Sequence, residues 1–294
     1  LVYDAVSGAS PLYHDTLSGA SGVGIKDDRI AGDIKVTHYF ENFSVGAGAN
    51  FSNEDDYNSV GGLLETQLWD EDKSTVYSIG ISGHSDDISS TNDPELDESS
   101  RNHGYLLGIT QIINRNSFAQ VNATYSSTDG YQSDPYKLGD LRPRSRDEWA
   151  LLTRYVRYLE STGSSLHFDY RFYFDSWGIN SHLFEARWYQ PVSDALTLRP
   201  LLRYYTQDRA DFYNNTFPPS FEDEQFYSAD QRLSGFGALA GGLAFIYDWG
   251  DSLTTDLTFE YEYQSGALHS FGPGSPYLKD FSSLAISFGI GKKF

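Results

Sequence analysis

The sequence predicts an all-β fold, a transmembrane antiparallel up-and-down β-barrel. Three observations carry that reading. Strand-like segments of about ten residues, the span of a tilted transmembrane strand, recur along the chain with apolar side chains at every second position. The connections between them are read as alternating between short turns and long acidic loops, the asymmetry of an outer-membrane barrel. Aromatic residues make up 16% of the chain, with 22 Tyr and 19 Phe, yet the mean hydropathy is only −0.47. No stretch resembles an apolar transmembrane helix. A barrel reconciles these facts, because its water-facing residues offset its lipid-facing ones in any average.

Charge and cysteine content narrow the function. The 41 acidic and 21 basic residues give a formal charge of −20, which argues against nucleic acid as a partner. The absence of cysteine excludes disulfides, thiolate metal sites and haem attachment. No nucleotide-binding or metal-binding motif is present, so no cofactor is expected.

Leu1 to Val6 reads as the end of a strand. Ser7–Ser10 (Ser-Gly-Ala-Ser) recurs at Ser18–Ser21, and the small residues with Pro11 predict an ordered loop. Ile30, Ile34, Val36 and Phe40 then alternate with Ala31, Asp33, Lys35 and Thr37, and Glu41-Asn42 turns the chain into Phe43–Phe51. After the acidic segment Asn53–Asn58, Val60–Trp69 and Tyr77–Ile81 form the next pair, followed by the polar stretch His84–Ser100. Tyr105–Ile113 and Phe118–Ser126 flank a turn at Arg115-Asn116. The long segment Thr128–Arg146 leads to Trp149–Leu159 and Leu166–Phe174. In the second of these, Leu166, Phe168, Tyr170, Phe172 and Phe174 alternate with His167, Asp169, Arg171 and Tyr173. Phe184–Tyr189 and Leu196–Tyr205 follow, then the long loop Thr206–Gln231. Strands are expected over Leu233–Trp249, Leu253–Tyr263 and finally Phe281–Phe294, where Leu284, Ile286, Phe288 and Ile290 alternate with small residues.

The count is thirteen full strands from Arg29 onward, plus the end of one more at Leu1–Val6. A last strand running toward the periplasm requires an even total of at least fourteen. The expectation is a single barrel domain over residues 1–294 that is N-terminally incomplete.

Several segments resemble a functionally uncharacterised family of proteobacterial outer-membrane β-barrels. They are Tyr3–Pro11 (YDAVSGASP), Ser133–Lys137 (SDPYK), Arg142–Arg146 (RPRSR), Tyr204–Tyr213 (YYTQDRADFY) and Tyr227–Ser234 (YSADQRLS). The resemblance spans essentially the whole chain. It implies about two further strands before the first motif, hence sixteen in the intact protein, and a Gram-negative outer membrane as the location. It implies no catalytic residue and no agreed substrate. Members are often encoded beside a small lipoprotein, a thioredoxin-like protein and a flavin transferase, which points to an envelope partner. The terminal Phe294 is similar to the assembly signal of such barrels.

The lumen-facing set supplies the candidate site residues. Arg171, Arg187, Arg199 and Arg203 lie on neighbouring strands; Asp256, Glu260 and Glu262 lie further round, with Asp33 and Glu65 beyond. Two readings stay open. Opposed basic and acidic walls would set up a transverse field that orients charged solutes. Alternatively, Asp169 pairs with Arg171 and Glu185 with Arg187 or Arg199, and the charges stiffen a plugged wall. The acidic stretches Asn53–Asn58, Asp86–Glu98 and Glu222–Glu224 read as solvated surface, with divalent cations or lipopolysaccharide as the alternative. The seven His, at positions 14, 38, 84, 103, 167, 182 and 269, form no local nucleophile–base pattern. The expected function is a non-enzymatic, porin-like channel or a membrane scaffold for an envelope partner such as a small lipoprotein. Outer-membrane lipids and lipopolysaccharide are the expected surroundings. The alternative is an outer-membrane enzyme acting on lipid or lipopolysaccharide at the outer rim.

Overall fold

The computed structural model describes residues 2–8, 25–91, 93–137, 139–215 and 226–293. Period-two patterning becomes a single antiparallel sheet, and each strand pairs with its neighbours in sequence. The strands are β1 (Val2–Gly8), β2 (Ile25–Tyr39), β3 (Phe43–Asn53), β4 (Tyr57–Trp69), β5 (Thr75–Ile88), β6 (Glu98–Asn114) and β7 (Ser117–Gly130). The order continues with β8 (Ser145–Leu159), β9 (Ser164–Asp175), β10 (Asn180–Pro191), β11 (Leu196–Gln207), β12 (Phe236–Gly250), β13 (Leu253–Ser265) and β14 (Phe281–Lys292). Short 3₁₀ turns occupy Gln231–Leu233 and Gly266–Leu268. Within the described residues β1 and β14 are the two edges of the sheet and do not pair with each other. The repeated Ser-Gly-Ala-Ser loop, Glu222–Glu224 and Phe294 lie outside the described residues.

Register sorts the side chains by chemistry. Odd positions of β9, Asp169 among them, share a face with the odd positions of β10, where Glu185 stands opposite Asp169. The other face is apolar and uncovered. Leu284, Ile286, Phe288 and Ile290 of β14 are 66%, 61%, 69% and 70% exposed, and Ile34, Val60, Leu107 and Leu202 repeat this on other strands. A soluble protein does not leave an apolar face of this extent in water. No second sheet packs on it among the described residues. The face has the chemistry of a lipid-contacting surface.

Aromatic rings mark both margins of that face. Toward the long-loop end, Tyr105, Tyr125, Trp149 and Phe174 form a row across β6 to β9, with successive ring centroids 6.1, 4.6 and 6.3 Å apart. Toward the short-turn end, Phe40 stacks on Phe43 at 4.3 Å and Tyr247 tilts against Trp249 at 4.5 Å. Rows of this kind sit at the two membrane–water interfaces of transmembrane barrels.

The hairpins depart from the sequence reading at the loop end. β4 begins at Tyr57, β5 runs on to Ile88 and β6 starts at Glu98, so much of the polar stretch His84–Ser100 is paired strand. Polar residues do not end an antiparallel ladder, whose hydrogen bonds involve the backbone alone. Two connections at this end are also short, residues 54–56 and 176–179, so the alternation of short turns with long loops is incomplete. Leu233 belongs to a 3₁₀ turn rather than to a strand, because the Asp230 carboxylate accepts from the Arg232 backbone N–H and caps that turn.

The compact apolar core sits among the loops. Trp177 and Ile179, from the β9–β10 connection, pack with Ala210, Tyr213 and Leu233 of the β11–β12 connection, and Tyr173 and Phe212 lean on the cluster. At the centre of the β9–β10 turn, Gly178 has φ +89°, a left-handed conformation that favours glycine. A Cβ there would lie 2.5 Å from an Asp211 carboxylate oxygen, so glycine also admits the neighbouring loop.

Candidate functional site

On the polar face, five of the strands from β8 to β13 carry a continuous chain of ion pairs. Asp169 accepts two hydrogen bonds from Arg154 at 2.7 and 2.8 Å, and its second oxygen lies 2.6 Å from Arg187. Arg187 also approaches Glu185 at 2.9 Å. Glu185 accepts from Arg203 at 2.7 Å, and Arg203 reaches Glu260 at 2.7 Å. That last step passes over β12, where Ala240, opposite Arg203, is buried. Small residues on β12 let one guanidinium bridge β11 and β13. Forked pairs of this type fix both partners more firmly than single contacts do.

The predicted lumen residues fall into distinct environments. Arg187, Arg203 and Glu260 are members of the chain of pairs. Asp169 pairs with Arg154 and Arg187 rather than Arg171, and Glu185 with Arg187 and Arg203 rather than Arg199. Arg199 lies over the Tyr189 ring at 5.7 Å, and no carboxylate among the described residues lies within 4.0 Å of it. Glu65 pairs with Lys35 at 2.5 Å across the intervening strand β3. Asp33 stands opposite Asn50, Asp256 opposite Ile246 and Gly289, and Glu262 opposite Ala240 and Ser283. None of these three carboxylates has a basic partner within 4.0 Å among the described residues.

A second constellation forms where the loops meet. Residues 131–144 and 226–235 are joined by paired backbone hydrogen bonds between Leu141 and Tyr227, both 2.8 Å. Arg142 pairs with Asp140 at 2.8 Å and Asp230 at 3.0 Å. Arg232 grips Asp230 at 2.5 Å and reaches Asp134 at 3.2 Å. Burial acts to raise the Asp230 pKa, but the Arg232 hydrogen bonds and charge outweigh it and hold the group down at about 2. Burial pushes Asp140 the other way, above the ordinary carboxylate range, despite Arg142. Arg146 binds Asp175 at 2.5 Å and lies 4.3 Å from the centre of the Trp177 ring. Tyr136 ties this layer to Asp56 and to Thr91, in two neighbouring connections. The loops thereby form one interlocked cap. It leans over the polar face, because Gln207 of β11 donates to the carbonyls of Arg232 and Ser234 at 2.9 and 2.7 Å.

Beneath the cap is a cavity of about 370 Å³, bounded by Arg142, Arg146, Arg171 and Arg232 together with Tyr173, Tyr205 and Asp230. Sequence reasoning found only Arg171. The other three arginines lie in the Arg142–Arg146 and Tyr227–Ser234 motifs, whose density of Arg and Asp was the available signal. The last long connection, residues 266–280, folds over the opposite face. Phe271 meets His182 at 4.7 Å, and His269 lies 3.1 Å from Asp208.

The remaining chemistry is sparse. Ser100 Oγ donates to Asp86 at 2.9 Å, and His84 lies 3.5 Å from the same carboxylate oxygen. Both side chains converge on the acid, which differs from a nucleophile–base–acid relay. Among the described residues no three His, Asp or Glu side chains converge as metal ligands.

An all-antiparallel up-and-down sheet with an apolar outer face, aromatic margins and a charged inner face has the fold of the outer-membrane β-barrels. The chain belongs to the family described as "Protein of unknown function (DUF3570)", whose model matches residues 2–105 and 95–274. No curated protein matches it. Among solved structures it is similar to CdiB from Escherichia coli, with TM-score 0.53 and 11% identity over 99% of this chain and 55% of that one. It is also similar to the siderophore receptor PirA from Acinetobacter baumannii, with TM-score 0.52 and 9% identity over 98% and 54% of the two chains. CdiB from Acinetobacter baumannii gives TM-score 0.50 and 10% identity over 90% and 50%. The chain therefore spans about half the length of the solved structures it matches.

Proposed function

We propose that this chain forms the wall of an outer-membrane channel for small polar solutes in a Gram-negative envelope, acting without catalysis. The observation that supports this most directly is the chain of ion pairs from Arg154 to Glu260. So many charges on one face of a sheet whose other face is apolar require water on the charged side. In this reading residues 1–294 contribute to one barrel domain of sixteen strands. The edges of β1 and β14 then need strand partners, because an open edge in lipid leaves a row of unsatisfied N–H and C=O groups. A lumen of that size accommodates an aqueous path. Arg199, which has no carboxylate within 4.0 Å among the described residues, and Arg203 then set the field along it.

The interlocked cap favours a second role, as a membrane scaffold. A partner such as an envelope lipoprotein would dock on the loop layer or fill the lumen. Planar-bilayer recording separates the two. The channel predicts discrete conductance and a shift in ion selectivity when Arg199 and Arg203 are both replaced by Gln. No conductance above background, together with a partner that co-purifies in mild detergent, overturns the channel and leaves the scaffold.

A further inference from the structure

The arginine-lined cavity under the cap has a composition that the net charge of −20 does not lead one to expect. Four guanidinium groups bound a space of about 370 Å³, with Asp230 as the carboxylate among the bounding residues. A volume of that order suits a small solute. Asp175 and Glu148, which hold Arg146, are not among the bounding residues, whereas Arg232 is held by Asp230 at the cavity and by Asp134 outside it.

The donors these pairs leave over are the informative part. Arg146 spends Nε and Nη2 on Asp175. Arg142 spends Nη2 on Asp140 and Asp230. Arg232 spends Nε and Nη2 on Asp230 and Asp134. The Nη1 group of each makes no hydrogen bond among the described residues. Arg171 has no carboxylate within 4.0 Å among the described residues, and it is exposed on the polar face at the cavity. Guanidinium groups clamped on one edge and open on the other are preorganised for planar, multidentate acceptors. Carboxylate and phosphate oxygens have that geometry. The tyrosine hydroxyls at the cavity offer little competition: Tyr173 donates to Glu148 and Asp175, and Tyr205 donates to Gln207.

We infer that this cavity is a binding site for the oxyanion group of a soluble solute, a carboxylate or a phosphate, with Arg171 as its principal uncommitted cation. The inference rests on the polar face being a water-filled lumen, but not on that lumen conducting. The site lies where a solute entering from the loop end meets the strand wall, so it would concentrate anions at the mouth of a strongly acidic protein.

The test is isothermal titration calorimetry of the full chain in detergent, with inorganic phosphate, citrate and glucose as separate titrants. Saturable binding of phosphate or citrate, absent with glucose, is expected. Arg171→Gln should weaken it by roughly 10-fold or more, the size of one charge-assisted hydrogen bond. Arg171 has no ion pair to lose among the described residues, so this variant should keep the folded cap, which protease resistance of the loops verifies. Arg171→Lys keeps the charge but not the fork and should recover only part of the affinity. Equal binding by the wild type and Arg171→Gln overturns the assignment, as does a lack of saturable heat with either anion. A saturable response only to vesicles containing lipid A overturns it too, because the oxyanion would then come from a lipid. This assay needs no current, so a silent bilayer recording alongside anion binding would remove the channel and leave the site.

Discussion

At the residue scale, Asp230 shows how the cap is held. It is nearly inaccessible, 1% exposed, and isolated burial would make its charge costly. The hydrogen bonds and charge of Arg232, with the charge of Lys137, reverse that cost. With its pKa depressed from the usual 3.8 to about 2, its stabilising contribution is present above pH ~4 and is lost as pH falls through ~2. The full contribution is about 2 kcal/mol. Asp140 has the opposite sign. Its raised pKa makes its ionised form a burden at neutral pH, and acidification relieves that burden before Asp230 begins to titrate. Trp177 fluorescence followed against pH should show the cap loosening between pH ~4 and ~2. In Asp230→Asn that acid limb should vanish and the cap should be weaker throughout the neutral range. An unchanged acid limb would assign the transition to other carboxylates.

At the scale of elements, the strands and the cap follow different rules, which explains what the sequence made visible. Period two is a local signal, and the placement of β9 follows from Leu166 to Phe174 alone. The order of strands follows too, because hairpins connect neighbours. The ends of the hairpins were harder to read, since β5 and β6 continue through His84–Ile88 and Glu98–Asn102 without an apolar face to announce them. Arg171, Arg187, Arg199 and Arg203 could be put on the polar face from parity. Their partners could not, because a long guanidinium reaches diagonally or across a whole strand, as Arg203 does over Ala240. The cap was least visible. Arg142 and Asp230 are 88 positions apart, and no periodicity links them.

Trp177 is the point at which the cap can be tested as a unit. It is 3% exposed, its indole N–H donates to the Ser145 carbonyl at 3.0 Å, and Phe212 meets it edge-on at 5.1 Å. Trp177→Ala should cost about 3–5 kcal/mol, and the cost should be confined to the loops. Limited proteolysis should then cut within residues 139–144, 208–215 or 226–235 much faster than in the wild type. The strands should keep their resistance to detergent at the same temperature. Loss of both together would mean that the cap and the sheet fold as one cooperative unit.

At the scale of the whole molecule, the decisive property is which face meets lipid. The five tryptophans sample this from both sides. Trp149, Trp188 and Trp249 are 45%, 41% and 62% exposed on the apolar face, with Trp149 toward the loop end and Trp188 and Trp249 toward the turn end. Trp69 is on the polar side of β4, where its indole donates to the Glu41 carbonyl at 2.8 Å, and Trp177 is inside the cap. Single-tryptophan versions of the full chain, reconstituted with brominated lipids, would read these positions one at a time. Quenching should be strong for Trp149, Trp188 and Trp249, and weak for Trp69 and Trp177. Because Trp149 and Trp249 belong to opposite aromatic margins, bromine placed near the headgroup should quench them more than bromine at the chain ends. Strong quenching of Trp177 or Trp69 would put lipid on the charged face, and the lumen assignment would fail along with the arguments for a channel and an anion site. The physics favours the first outcome. Reversing the sheet would place Asp169, Arg187, Glu185, Arg203 and Glu260 against hydrocarbon, at about 2–4 kcal/mol for each basic residue near the midplane. It would also put Leu284, Ile286, Phe288 and Ile290 in water, giving up burial worth about 1.5–3 kcal/mol per side chain.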